Sequence, residues 1–172
     1  MVKKTAYLSS RERERGTAFF LKHAVYNGMG FTLDRRRMYY TDSRERTIYV
    51  YDYDRSSGAI SNRRDFVRVP QVEGEGHPDG MTVDAEGYVW GARWDGNCLV
   101  RYTPDGIEVQ RVFFPAKKVS CVIFGGEDDG DMYVTTANQQ GKEVEGPGAG
   151  ALFRLRLPGI KGVPEFRSRI GL

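Results

Sequence analysis

Cysteine and long apolar runs are scarce in this sequence, and each scarcity excludes a class of protein. Only two of the 172 residues are cysteines, Cys98 and Cys121, which are far apart and lack a CxxC partner. A disulfide-rich scaffold or a cysteine zinc site is therefore not expected, and two reduced thiols are favoured over a single disulfide. No stretch is apolar for long enough to cross a membrane or to form the core of a signal peptide. We therefore expect a soluble, cytoplasmic chain with no membrane partner.

The sequence also has only a small net charge and few histidines. The 26 basic and 23 acidic residues leave a formal net charge of +3, and the arginine clusters at residues 11–15 and 35–37 are short. A solvated surface is favoured over a nucleic-acid interface, which stays a minor alternative. The two histidines, His23 and His77, come without a GxSxG serine, so a serine-hydrolase triad has no support. We interpret His77 as a loop residue at the rim of a site.

Glycine and aromatic residues are abundant, with 21 glycines, 10 tyrosines and 9 phenylalanines. They occur in short runs that alternate with turn residues, which predicts many short β-strands. The runs group into successive units of similar length at residues 27–70, 79–115 and 120–157. Units of 40–50 residues with about four strands each are typical of β-propeller blades. We predict an all-β fold, a single propeller segment over residues 1–172, with residues 1–26 as the remnant of a preceding blade.

A short motif recurs at the start of the first two units. Asn27-Gly28-Met29 matches Asp79-Gly80-Met81, and Ser120 falls at the equivalent point of the third unit. The first strand of each blade lines the channel of a propeller, so we expect Asn27, Asp79 and Ser120 to face one axis. Glycine after the first two fits a crowded axis where backbones approach closely. Alternatively, Asn-Gly and Asp-Gly simply begin turns, for which both pairs are common.

Three units are fewer than the four to eight blades that close a propeller. The expectation is therefore half of a six-bladed propeller: either the chain is part of a longer protein, or two copies close a six-bladed ring as a homodimer.

Seven short motifs carry further information. They are, in chain order, Asn27 to Phe31, Met38 to Ser43, Tyr51 to Asp54, Pro78 to Asp84, Val100 to Gly106, Phe124 to Gly126 and Gly150 to Leu155. Together they resemble the senescence-marker-protein, gluconolactonase and regucalcin family of sugar lactonases. They match the second half of the family, from about residue 16 onward. The resemblance implies a six-bladed propeller with one divalent cation, calcium or zinc, in its channel.

The resemblance also implies roles for individual residues. The family's metal ligands are a Glu, an Asn in an NG motif and an Asp in a PDG motif; Asn27 and Asp79 match the last two, whereas the Glu belongs to the half not present here. Asp79 would be both ligand and general base in the hydrolysis of a sugar lactone such as gluconolactone. The alternative is an inactive half-propeller that folds by self-association and at most binds metal.

Three further residues are candidates for substrate contact. Arg93 and Trp94 follow the second strand of the second unit, near the channel end of the blade, although a packed loop is an equal alternative. Ser120 holds the axial position of the third unit. The acidic run at residues 127–131 lacks the spacing of an EF-hand and is interpreted as a hairpin turn.

Overall fold

The computed structural model describes residues 25–164, which form eleven strands and one short helix. The strands are β1 Tyr26–Phe31, β2 Arg37–Asp42, β3 Thr47–Tyr53, β4 Ile60–Arg68, β5 His77–Val83, β6 Val89–Trp94, β7 Cys98–Tyr102, β8 Glu108–Phe113, β9 Val119–Gly125, β10 Asp131–Thr136 and β11 Leu152–Leu155. The helix, α1, is Lys142–Glu145. Within residues 25–164, no helix has the length and apolar character needed to cross a bilayer.

The strands form three separate antiparallel sheets, each built from strands that are consecutive in the chain. The first sheet has the order β1-β2-β3-β4, the second β5-β6-β7-β8, and the third β9-β10-β11. This arrangement of meandering sheets confirms the predicted all-β propeller fold, with three strands in the described part of the third sheet. The blade boundaries at 27–70, 79–115 and 120–157 stay predictions. Of residues 1–26, which we interpreted as a remnant of a preceding blade, residues 1–24 lie outside the described residues, and Tyr26 is the first residue of β1.

Two apolar layers hold the sheets together face to face. Between the first and second sheets, Tyr39, Ile48 and Val50 pack against Val89 and Val100. Successive side chains of a strand point to opposite sides of the sheet. Ile48 and Val50, two residues apart on β3, therefore share the face that packs against the second sheet.

Between the second and third sheets lies the other layer. Trp90, Leu99, Val122 and Met132 are almost completely buried there. Since the second sheet is covered on both faces, its β6 and β7 are apolar nearly throughout, as expected for central strands.

The two cysteines are free thiols: Cys98 is buried and Cys121 is exposed. The acidic run after β9 forms a turn fixed by ion pairs. Asp128 contacts Arg156 and Lys161, and Asp131 contacts Arg154 and Arg156, at 2.6–3.1 Å. The carboxylates are therefore neutralised by Arg154 of β11 and by residues that follow β11, and the pairing of Asp131 with Gly125 agrees with a hairpin turn.

Candidate metal and lactone site

The first strands of the three sheets, β1, β5 and β9, lie side by side. A Cβ atom added to Gly28 would lie 2.6 Å from the backbone nitrogen of Met81, and one added to Gly80 would lie 2.7 Å from the carbonyl oxygen of Ser120. Both distances are too short for a real Cβ atom. Glycine at these positions allows the backbones to approach, which confirms the predicted crowding around the axis.

Each of these inner strands contains a β-bulge at the position of the repeated motif. In β1, Asn27 and Gly28 lie between the pairs Tyr26–Asp42 and Met29–Tyr40, whereas β2 has a single residue there. In β5 the same two-against-one arrangement occurs at Asp79 and Gly80.

The third inner strand has its irregularity at the same point, because Ser120 lies between the paired residues Val119 and Cys121, whose partners on β10 are consecutive. A bulge bends the strand and redirects a side chain, and bulges are common next to functional sites. The repeat therefore places three polar side chains on three equivalent irregularities. The sequence predicted the positions but not the bulges.

Asn27 is oriented by a hydrogen bond to the neighbouring strand region. Its side-chain nitrogen Nδ2 donates to Ser43 Oγ at 2.5 Å, and Ser43 Oγ donates to the carbonyl oxygen of Pro78 at 2.6 Å. With Nδ2 engaged, Oδ1 is the atom of this amide that is available to a cation or to water.

Asp79 lies on the adjacent inner strand and is partly buried. Burial raises the pKa of its carboxyl to about 6, and a hydrogen bond from the backbone N–H of Gly80 opposes this rise. No ion pair between Asp79 and a cationic side chain occurs within residues 25–164, so the charge is not neutralised by the described protein. A half-buried carboxylate with a raised pKa is typical of a functional group.

Both side chains line one cleft of about 410 Å³ at the same end of the sheets. Its described lining consists of Val25, Asn27, Ser43, Arg44, His77, Asp79 and Trp94. His77 is held at the rim, where its Nδ1 lies 3.2 Å from the carbonyl oxygen of Ser43. The sequence-predicted pair, Asn27 and Asp79, is thus brought together, and His77 is a rim residue.

Trp94 is the predicted substrate residue that the structure brings into the cleft. Behind its ring lies Lys118, with Nζ 5.6 Å from the ring centre. Lys118 is buried and pairs with Glu145 at 2.5 Å and with Asp95 at 3.1 Å. The connection between β10 and β11 contains α1, whose Glu145 forms this buried ion pair with Lys118. This pair supports the wall of the cleft.

Arg93 and Ser120 do not line the cleft. Arg93 is only 3% exposed, points between the first two sheets, and donates through Nη2 to the hydroxyl of Tyr102. Alternation along β6 explains this, since adjacent residues face opposite sides and Trp94 takes the cleft side. Ser120 hydrogen-bonds Thr135 Oγ1 at 2.8 Å on its own sheet.

Ser43 and Arg44 also line the cleft and were not predicted from the sequence. The signal was present, because Ser43 and Trp94 occupy equivalent places. Each lies across from the residue two before the motif: Ser43, next after β2, faces Val25, and Trp94, the last residue of β6, faces His77. Applying to the first unit the reasoning that selected Trp94 in the second would have selected Ser43.

The donor set for a metal is small and consists of oxygen. Within residues 25–164, no group of three or more His, Cys, Asp or Glu side chains is close enough to hold a metal ion. Asn27 Oδ1 and the Asp79 carboxylate are an uncharged and a charged oxygen donor, the kind that hard cations prefer. These two residues fit part of the coordination of a divalent cation and leave further positions for water or other oxygen ligands.

Comparison with known proteins identifies the family. Residues 12–138 match the model described as the SMP-30/gluconolactonase/LRE-like region. The chain belongs to this family. Among curated relatives, a pentonolactonase of Haloferax volcanii is 50% identical over 155 residues, covering 86% of this chain and 52% of the relative. An L-arabinolactonase of Azospirillum brasilense is 41% identical over 133 residues, covering 76% of this chain and 43% of the relative.

The solved structures of this family give the same fold. The calcium-binding protein regucalcin from Agrobacterium tumefaciens superposes with a TM-score of 0.76 at 27% identity, covering 85% of this chain and 50% of that one. Such relatives are six-bladed propellers, and this chain corresponds to about half of one. The chain likewise spans about half the length of the curated relatives it matches.

Proposed function

We propose that this chain supplies part of the centre of a metal-dependent sugar lactonase, with Asn27 and Asp79 as metal ligands. The observation that carries the proposal is that both side chains sit on equivalent bulges of adjacent inner strands and line one cleft. A structural turn would need neither the bulge nor the shared cleft. The names of the family relatives, pentonolactonase and L-arabinolactonase, support the same reaction class.

Oxygen-only donors favour calcium over zinc, because zinc in proteins is held mainly by nitrogen and sulfur. The calcium-binding description of the regucalcin relative supports this choice. When bound, a divalent cation would polarise the lactone carbonyl as a Lewis acid and stabilise the negative charge that develops on its oxygen. Asn27 would contribute a neutral donor, which leaves more of the cation's charge for the substrate.

Asp79 is our candidate for the general base. In the metal-free chain burial raises the pKa of this carboxyl to about 6, so it is mostly ionised at neutral pH, the form that can accept a proton. It would take a proton from the attacking water as the water oxygen bonds to the carbonyl carbon. The ring C–O bond then breaks, and protonated Asp79 returns the proton to the departing ring oxygen. The product is the open-chain aldonic acid, which loses its carboxyl proton to solvent to become the aldonate, and the carboxylate of Asp79 is regenerated.

The substrate side of the cleft suits a neutral sugar lactone. Trp94 offers an apolar ring surface against which the face of a sugar can pack, and His77 offers a polar group for hydroxyls. The relatives' names favour five-carbon lactones, with gluconolactone as the six-carbon candidate. Arg93 is buried outside the cleft, so we do not assign it a contact with the substrate. Ser120 would contact the substrate only if the substrate extends to the third sheet.

The test is lactone hydrolysis by the purified 172-residue chain, followed by the acid released, with L-arabinono- and gluconolactone. We expect a rate above background that requires calcium and is lost in Asp79→Asn. Metal binding without turnover, in every lactone and metal tried, would reject the catalytic assignment.

The second candidate is a half-propeller that self-associates and binds metal without catalysis. It is favoured by apolar side chains on the two outer sheet faces, where Met29 is 56%, Ile123 46% and Leu152 65% exposed. A homodimer that closes a six-bladed ring would cover both faces. Light scattering distinguishes the cases: a uniform dimer supports ring closure, whereas a monomer that hydrolyses lactone argues against it.

A further inference from the structure

Ser43 connects the two strands that carry the candidate metal ligands. It follows β2, is half-buried, and its hydroxyl makes two short contacts in different sheets. It accepts from Asn27 Nδ2 at 2.5 Å in the first sheet and donates to the carbonyl oxygen of Pro78 at 2.6 Å in the second. Pro78 immediately precedes Asp79, so one hydroxyl reaches both ligand positions.

The proton count of a hydroxyl makes this bridge directional. A serine has one O–H to donate, and the Pro78 carbonyl can only accept, so the proton of Ser43 lies toward Pro78. Ser43 Oγ can then only accept from Asn27. The side-chain amide must turn its NH₂ group toward Ser43, and Oδ1 is left on the other side of the amide. The reversed amide would place Oδ1 against a serine lone pair.

The backbone of Ser43 is fixed by contacts with both neighbouring strands. Its N–H donates to the carbonyl oxygen of Val25 at 2.9 Å, and its own carbonyl oxygen lies 3.2 Å from His77 Nδ1. The hydroxyl is thus fixed relative to β1 on one side and to β5 on the other. A group so fixed can set the orientation of a neighbour at little further entropic cost.

We propose that Ser43 is a positioning residue, which aims the amide oxygen of Asn27 into the cleft and fixes the bulged peptide that presents Asp79. The proposal deepens the function proposed above and rests on it for the role of the metal. The orientation of Asn27 is a property of the metal-free chain. It can therefore be measured whether or not a metal binds.

The experiment compares the wild-type chain with Ser43→Ala in two measurements. Calcium titration calorimetry gives the metal affinity, and the side-chain NH₂ resonances of Asn27, assigned with Asn27→Asp, report its hydrogen bond without metal. We expect Ser43→Ala to weaken calcium binding about 10- to 100-fold, the range for loss of an outer-shell partner. In the wild-type chain one proton of the Asn27 side-chain NH₂ group is hydrogen-bonded to Ser43 and should resonate downfield. We expect this downfield shift to be lost in Ser43→Ala.

Two further variants separate positioning from a general loss of structure. Ser43→Thr keeps the hydroxyl and should restore both signals. Ser57→Ala removes a hydroxyl that bonds Asp54 at 2.8 Å in an exposed turn, and should change neither. Unfolding midpoints of all variants are measured in parallel.

Three results are decisive. An unchanged affinity and unchanged Asn27 resonances in Ser43→Ala would overturn the positioning role. Loss of both in Ser43→Ala with recovery in Ser43→Thr supports it. A wild-type chain that binds no calcium, with Asn27 resonances that still respond to Ser43→Ala, supports the positioning role and rejects the proposed metal function.

Discussion

Replacing Asp79 by Asn should stabilise the metal-free chain at alkaline pH while removing metal binding. The folded chain holds the Asp79 carboxyl at a pKa of about 6 instead of the ordinary 3.8, because burial disfavours its charged form. At pH 8 the carboxyl is ionised in both folded and unfolded chains, so folding carries the full desolvation cost. The amide of Asn has nearly the same shape and no charge.

The magnitude follows from the size of the pKa shift. A shift of about two units corresponds to roughly 3 kcal/mol at about 1.4 kcal/mol per unit. Since the group is only partly buried, solvent screening reduces this, and we expect about 1–2 kcal/mol. For a chain of this length that gain raises the melting temperature by roughly 3–6 °C.

The change in stability on Asp79→Asn substitution should depend on pH in a definite direction. An acid whose pKa is raised on folding binds its proton more tightly in the folded state, so its contribution to stability is present below pH 3.8 and is lost as the pH rises through 6. The advantage of Asp79→Asn over wild type should therefore be greatest at pH 8 and disappear near pH 4.

The assay is urea unfolding with a chelator at pH 8 and at pH 4. Asp105→Asn is the matched control, because Asp105 also precedes a glycine but lies in an exposed turn; it should change the free energy of unfolding by less than about 0.5 kcal/mol. A loss of stability in Asp79→Asn at pH 8, or an equal gain at both pH values, would refute the reasoning that the carboxyl is held at a desolvation cost.

Three further outcomes follow from the same geometry. Calcium affinity of the wild-type chain should rise about tenfold per pH unit below pH 6 and level off above it, because the metal competes with a proton on Asp79; a flat titration profile from pH 5 to 7 would contradict this. Gly80→Ala should destabilise the chain by about 1–3 kcal/mol in urea unfolding, because its Cβ would overlap the neighbouring inner strand, whereas Gly91→Ala, whose Cβ would meet its nearest atoms at 3.6 Å and 3.7 Å, should be nearly neutral. Lys118→Ala, which leaves a buried carboxylate unpaired, should lower the melting temperature far more than Arg68→Ala, which breaks an exposed pair; equal effects in calorimetry would contradict a supporting role for the buried pair.

The class of fold and the pairing of Asn27 with Asp79 could be predicted from the amino-acid sequence alone. Strand positions follow from period-two alternation and from turn residues, which act over a few residues and need no distant partner. The ends of a strand are less local: β4 runs from Ile60 to Arg68 because it pairs with β3 over that length. The Asn27 and Asp79 motif was found because a repeat puts equal residues at equal places, and Gly28 and Gly80 revealed the close approach of the backbones.

How these side chains are oriented depends on contacts between strands and sheets. The bulges at Asn27 and Asp79 arise from pairing with a neighbouring strand, which local sequence does not specify. The Ser43 bridge joins atoms of residues 35 apart in the chain, and the burial of Arg93 depends on which face of β6 the adjacent sheet covers. Local interactions fix where strands and turns occur, whereas the direction in which a polar side chain points is set by contacts between sheets.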